Sequence, residues 1–319
     1  MGGVGRAFGK LILFGEHAAV YGHPAVGVSL PEETTVVLAG PSSPGWGLDS
    51  LSPVDRGPVS AVLDRLEARL PDLASGRCAV KIESGITRKA GFGSSSALCG
   101  ACARAALAHS GNEPAPGDIT RSWTLAHDAE RLFHGTPSGV DTGLSLLDGT
   151  CVLNPRPPGL PDYRRVAHRG LFIVVGALPR DAGCAVLVGS LAERVKSGEA
   201  AARASIDELG GIAADAADSL LSAADRHADS LPETIGMLAD RAMRQLRALG
   251  LSTPGLDRLL DAARDEGARG GKLSGAGGGG AFYAVADDRR SASRIASRLR
   301  GEAEKAGIML SSPLRIIEL

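Results

Sequence analysis

Short apolar runs bounded by glycine alternate along this chain with longer stretches of small or amphipathic residues. The run at 10–14 stops at Gly15 and predicts a strand, and 34–39 and 78–82 predict two more. From 94 to 109 the residues are small and helix-favouring, and Asp118 is placed to cap a second helix reaching about 133. The proline-rich segment 155–161 continues neither regular structure, which puts a domain boundary near 160. Beyond it, 171–175 has the pattern of a buried strand. Helices are expected at 183–197, 200–228, 232–249 and 254–267. Strands at 281–286 and 314–317 then bracket an amphipathic helix at 288–306. The expectation is an α+β protein of two domains, 1–160 and 161–319, without internal repeats.

Composition narrows the setting more than the chemistry. With 319 residues and 44% hydrophobic content, the chain can bury the cores of one large or two ordinary domains. Its 35 basic and 36 acidic residues leave a net charge of -1, so no general field draws it to nucleic acid or to an anionic membrane. An anionic ligand must be held locally. The five cysteines (Cys78, Cys99, Cys102, Cys151 and Cys184) are odd in number and scattered, which suits a reducing compartment, with the cytoplasm as the expectation. The Cys99–Cys102 pair lies in a run of small residues and is read as buried filler. Residues 1–9 lack the pattern of a secretory leader, and no apolar run reaches the roughly 18 residues of a membrane span. Arginines at 289–300 alternate with serine and alanine as on a solvated helix face, not a nucleic-acid site.

Three segments carry candidate chemistry. Gly91-Phe-Gly-Ser-Ser-Ser-Ala97 opens the 94–109 helix, so backbone N–H groups and the positive helix end converge at one spot suited to phosphate. The hydroxyls of Ser94, Ser95 and Ser96 can add hydrogen bonds or ligate a hard cation; a plain helix cap is the alternative. Gly275-Ala-Gly-Gly-Gly-Gly280 formally matches a dinucleotide fingerprint, but an apolar strand pattern follows it instead of a helix. It offers either close backbone approach to a ligand or a structural tight turn. Neither Gly9-Lys10 nor Gly271-Lys272 belongs to a P-loop. In the third segment, His127, Glu130 and His134 would share one face of a continued helix, as metal ligands or as packed histidines beside a solvated carboxylate. Asp141 then follows a proline and glycine bend, as a positioned carboxylate or a turn aspartate.

Taken in order, the segments resemble the GHMP kinase superfamily, and within it the mevalonate kinases. Gly9-Lys-Leu-Ile-Leu-Phe-Gly-Glu-His-Ala-Ala-Val-Tyr-Gly22 is similar to the first family motif in its mevalonate kinase form. Gly91 to Ala97 resembles the phosphate-binding second motif, though the lead-in Thr87-Arg-Lys-Ala-Gly-Phe-Gly93 departs from the usual Pro-x-Gly-Ala-Gly-Leu-Gly. His134-Gly-Thr-Pro-Ser-Gly-Val-Asp141 looks like the segment bearing the catalytic aspartate, and Lys272-Leu-Ser-Gly-Ala-Gly-Gly-Gly-Gly280 like the third motif.

The resemblance implies a two-domain GHMP kinase fold, with an N-terminal domain like the second domain of ribosomal protein S5 and a ferredoxin-like C-terminal domain. It implies ATP as co-substrate, Mg2+ as cofactor, mevalonate as acceptor, and neither nucleic acid nor membrane as partner. The oligomeric state stays open, a homodimer among the options. By position, Asp141 corresponds to the general base and Lys10 to the lysine contacting it and the acceptor hydroxyl. Ser95 and Glu130 occupy the magnesium-ligand positions, and Gly91, Gly93, Ser94, Ser95, Ser96, Gly275, Gly277 and Gly278 would serve ATP. Glu16, His17 and Ser138 are expected on the acceptor side, with a buried, loop-orienting His17 as the alternative. Another acceptor (phosphomevalonate, a sugar or a mevalonate-like hydroxy acid) or a non-catalytic sensor on the same fold are the rival functions.

Overall fold

The computed structural model describes residues 2–41, 45–73, 78–112, 115, 117–157, 159–167, 170–180, 191–223 and 230–319. The start of the expected 183–197 helix, with Cys184, lies outside them, as do residues 224–228 of the expected 200–228 helix. Among the described residues, no helix is long and apolar enough to cross a membrane.

The first sheet is antiparallel and built on β1 (Gly3–Phe14) and β2 (Ala25–Pro41). The strand expected at 10–14 is thus the buried second half of a twelve-residue strand. Beside β2 run β3 (Cys78–Ser84) and β4 (Thr150–Asn154), and β5 (Asp162–Arg165) pairs with β4. Around this sheet lie α1 (Pro53–Glu67), α2 (Ser94–His109), α3 (Thr120–Glu130) and α4 (Val140–Leu146). The proline-rich segment 155–161 therefore joins two strands of one sheet, and the crossing to the second sheet falls after β5.

How α2 meets β1 follows from residue size. A Cβ on Gly5 would lie 2.0 Å from the Ala101 carbonyl oxygen, and one on Gly3 2.2 Å from that of Ala105. Glycine on the strand and alanine on the helix let the two backbones almost touch. That close approach sets the start of α2 over the middle of β1, where Lys10 sits.

The second half opens with β6 (Phe172–Leu178) and passes through α5 (191–196), α6 (Ala200–Ala223), α7 (Leu231–Ala248) and α8 (Pro254–Asp265). It closes with β7 (Gly270–Leu273), β8 (Gly280–Ala286), α9 (Arg289–Ala306) and β9 (Ser312–Glu318). The spatial order β7-β8-β6-β9, antiparallel throughout, is the ferredoxin-like arrangement. Helix ends obey local chemistry: Asp288 and Ser291 form a reciprocal capping box on α9, and Gly307 ends it in the left-handed region at φ 64°.

Candidate active site

Lys10 is fixed from both ends. Its backbone N–H donates to the Phe92 carbonyl at 2.9 Å, and its ammonium lies 3.0 Å from Asp141 Oδ1. Only 6% of the Lys10 side chain and 30% of the Asp141 side chain are exposed. Gly93 makes room for it: this residue starts α2 at φ 75°, and a Cβ there would stand 2.6 Å from Lys10 Cγ. No side chain caps the first turn of α2. Ser96 Oγ donates to the Gly93 carbonyl at 3.1 Å inside the protein, whereas Ser94 and Ser95 stay half-exposed.

Asp141 owes its place to packing between α3 and α4. Trp123 Nε1 donates to the Gly139 carbonyl at 3.0 Å, and its ring lies where a Cβ on Gly143 would be, at 2.3 Å. Ser138 Oγ accepts from the Val140 N–H at 3.3 Å, so this hydroxyl helps start α4. At the end of α3, Glu130 is 1% exposed, and among the described residues its carboxylate has no well-formed hydrogen bond, with the Thr142 hydroxyl as its nearest polar support. Burial, then the neighbouring Asp141 charge, pushes its pKa up to about 8 against the pull of Lys10. Glu130, His134 and Asp141 each bring a ligand atom within 4.8 Å of the others.

That cluster corrects the helix-face reading of the histidines. α3 ends at Glu130, and the Phe133 and His134 N–H groups both turn back to the Glu130 carbonyl, at 2.9 and 3.0 Å. His134 thus remains beside Glu130 and joins it and Asp141, whereas His127 stays outside the cluster. Burial lowers the His127 pKa, Arg131 adding to the effect.

The third motif comes from the other sheet. Gly275, Gly277, Gly278, Gly279 and Gly280 all have positive φ, a path side chains would resist. The Gly278 N–H donates to the Leu251 carbonyl at 2.9 Å, pinning the loop to the end of α7. A Cβ on Gly91 would stand 2.9 Å from the Ala281 backbone nitrogen, so the two glycine-rich loops meet directly.

Arg180, which sequence reasoning missed, lies at their junction. Its guanidinium is within 3.1 to 3.6 Å of the positions a Cβ would take on Gly91 and Gly275, and its enclosed Nε has no partner among the described residues. A lone arginine after a strand gives no sequence signal; only the fold brings it to both loops.

His17 and Glu16 turn toward residues of the third motif. His17 adopts φ 63° and lies against the backbone of Ala276 and Gly275; burial, then the Lys272 charge, lowers its pKa to about 4. Glu16, expected to reach an acceptor, instead turns its buried carboxylate onto the ammonium of Lys272. Cys99 and Cys102 are fully buried and their thiol pKa values are pushed up by burial, as packing residues.

The arrangement pairs a carboxylate with an ammonium, puts a proton-holding acid beside them, and faces them with two amide-rich loops and an arginine. It suits a polyanion delivered to a hydroxyl. Profiles of the GHMP kinases N terminal domain and the GHMP kinases C terminal region match residues 58–149 and 201–305. The chain is 30% identical over 297 residues to a mevalonate kinase of Aeropyrum pernix, covering 85% of each. Against a mevalonate kinase of Pyrococcus furiosus it is 28% identical over 321 residues, covering 93% of each. Its fold superposes on L. major mevalonate kinase in complex with R-mevalonate with a TM-score of 0.76 at 22% identity, over 99% of this chain and 95% of that one.

Proposed function

The chain belongs to the GHMP kinases, and from that footing we propose that it transfers the γ-phosphoryl group of ATP to the 5-hydroxyl of mevalonate, giving 5-phosphomevalonate and ADP. The observation that carries this reading is the Lys10–Asp141 pair, 3.0 Å apart beside Glu130 and facing the glycine-rich loops.

An alcohol holds its proton too tightly at neutral pH to attack phosphorus unaided. Asp141 accepts that proton as the acceptor oxygen bonds to Pγ and the bond from Pγ to the ADP oxygen breaks. Lys10 orients Asp141 and stabilises negative charge developing on the acceptor oxygen. The amides of the two glycine-rich loops, the hydroxyls of Ser94 and Ser95, and Arg180 bind the phosphates and hold them in line. Because the Arg180 Nε finds no partner among the described residues, an anion at the junction of the loops would satisfy it.

Glu130 tests the fit of a divalent cation. A buried carboxylate with little hydrogen-bond support and a pKa of about 8 is held by its surroundings in wait of positive charge. Asp141 and His134 each bring a ligand atom within 4.8 Å of it, and with the Ser95 hydroxyl, assigned by its motif position, the oxygen donors would suit a hard ion such as Mg2+. When bound, Mg2+ would neutralise charge on the β- and γ-phosphates. We place the protein in the cytoplasm on its buried cysteines Cys99, Cys102 and Cys151, which form no disulfide among the described residues.

Mevalonate is chosen over other acceptors because the Gly15-Glu-His17 form and the full-length relatives agree. Product identification tests it: ATP, Mg2+ and mevalonate with the protein should yield a phosphomonoester whose 31P signal couples to the C5 methylene protons. Unchanged mevalonate, with phosphomevalonate or a sugar consumed in its place, would overturn the assignment.

A further inference from the structure

The expectation for Glu16 was an acceptor contact, and its observed partner is Lys272, 256 residues away in sequence. The ammonium of Lys272 has no exposed surface and uses all three donors: Glu16 Oε1, the Leu13 carbonyl at 3.0 Å and the Leu273 carbonyl at 2.7 Å. Leu13 and Glu16 belong to the end of β1 and the turn after it, whereas Lys272 lies on β7. Tyr283, from β8, adds a second grip by donating its hydroxyl to the same Leu13 carbonyl at 2.8 Å. The rings of Phe14 and Tyr283 flank the ammonium at 5.8 and 5.5 Å. Other ties between the halves, Arg315 to Glu32 at 2.9 Å and His23 to Asp207 at 3.4 Å, are part-exposed.

A fully buried ion pair is a poor way to gain stability, since desolvation offsets most of the attraction and packed apolar residues serve as well. Burial indeed opposes both charges here, raising the Glu16 pKa and lowering that of Lys272. What the pair does supply is direction. His17 follows Glu16 immediately and is held at φ 63°, and Ser274 and Gly275 follow Lys272 closely. Fixing Glu16 to Lys272 therefore fixes His17 against the Gly275–Ala276 backbone that it touches.

We propose that Glu16 and Lys272 are positioning residues that form a buried strut, coupling the acceptor-side His17 segment to the third glycine-rich loop so that nucleotide binding orders both. The acceptor-side label rests on the proposed function; the coupling does not. Hydrogen–deuterium exchange with ATP and Mg2+, and no acceptor, reads the coupling directly. In the wild-type protein, nucleotide should slow exchange both at 274–280 and at 15–22. Glu16→Asp keeps both charges and shortens the strut by one methylene, so protection at 274–280 should persist while that at 15–22 is lost. Acceptor kcat/KM should fall about tenfold or more, with a smaller drop in melting temperature than in Glu16→Gln. Glu16→Gln with Lys272→Met, which removes both charges, should recover the stability lost in either single variant but not the coupled protection.

Equal nucleotide protection of 15–22 in wild type and Glu16→Asp would overturn the proposal. So would an absence of that protection in the wild type, or a double variant that recovers stability and acceptor kcat/KM together. Failure of the wild type to turn over mevalonate, with the exchange pattern intact, would instead count against the proposed acceptor alone.

Discussion

Replacing Asp141 by asparagine keeps the shape of the side chain and removes the charge that Lys10 faces at 3.0 Å. Separating a fully buried pair costs about 3–5 kcal/mol, but exposed pairs are worth at most about 1 kcal/mol. Asp141 is 30% exposed and Lys10 only 6%, so the lost attraction falls between, at about 2 kcal/mol after solvent screening. A second effect has the opposite sign. The Asp141 charge is one of the causes holding the Glu130 pKa up, and its removal relieves that repulsion. The net destabilisation should therefore be about 1 kcal/mol, a few degrees in a thermal melt. Catalysis should suffer far more, because an amide cannot take the hydroxyl proton: kcat should fall about 10²–10⁴-fold. A coupled ADP-release assay at saturating ATP and mevalonate gives kcat, and calorimetric titration of ATP without acceptor should show affinity within about threefold of wild type. Turnover within tenfold of wild type in a folded, ATP-binding Asp141→Asn protein would remove Asp141 from the reaction.

Ser95→Ala and Glu130→Gln should each raise the Mg2+ concentration giving half-maximal activity, which a Mg2+ titration at fixed ATP would show, and an unshifted curve would exclude that residue as a ligand. Gly93→Ala puts a methyl 2.6 Å from Lys10 Cγ at φ 75°, so it should cost about 2 kcal/mol or more in a denaturant titration and lower kcat by displacing the ammonium. For His17, whose pKa is lowered from 6.5 to about 4, the folded protein keeps the ring neutral while the unfolded chain takes a proton. Its contribution to stability is thus complete above pH 6.5 and lost as the pH falls toward 4. His17→Asn should flatten the acid side of the melting-temperature profile across that window, and an identical profile would show that His17 protonates freely in the folded state.

Periodicity and small-residue patterning made much of the architecture legible. The helix expected at 94–109 is α2 to the residue, and the late strand–helix–strand unit lies where 281–317 placed it. Elements were missed where their residues carry opposing local signals. α1 begins at Pro53 and contains Gly57 and Pro58, which read as punctuation; its core contacts through Val59, Val62, Leu63 and Leu66 outweigh them. α4 is a seven-residue helix introduced by Gly139, so its sequence looked like a continuation of the turn. β7 consists of Gly-Gly-Lys-Leu and has almost no strand propensity of its own, but all four residues are buried beside β8.

Site residues divide along the same line. Lys10, Glu130 and Asp141 were singled out through the resemblance of their segments to the GHMP kinase motifs, and the fold places Asp141 beside both of the others. The motifs could not show that Glu16 faces Lys272 rather than open space, because that contact joins distant parts of the chain. They could not show Arg180, whose neighbours Gly91 and Gly280 are separated from it by about a quarter of the chain or more. The histidine face divided: His134 joins Glu130 and Asp141, whereas His127 stays outside that cluster, and the sequence spacing could not show that the third member would be Asp141.

The central claim is a choice of acceptor, and the most direct test is kcat/KM for ADP release measured in parallel with mevalonate, phosphomevalonate and galactose at saturating MgATP. Mevalonate should exceed both others by at least about 10²-fold, with its turnover abolished by Asp141→Asn. A larger kcat/KM for phosphomevalonate or galactose, or ADP release that does not depend on any of the three, would contradict the account.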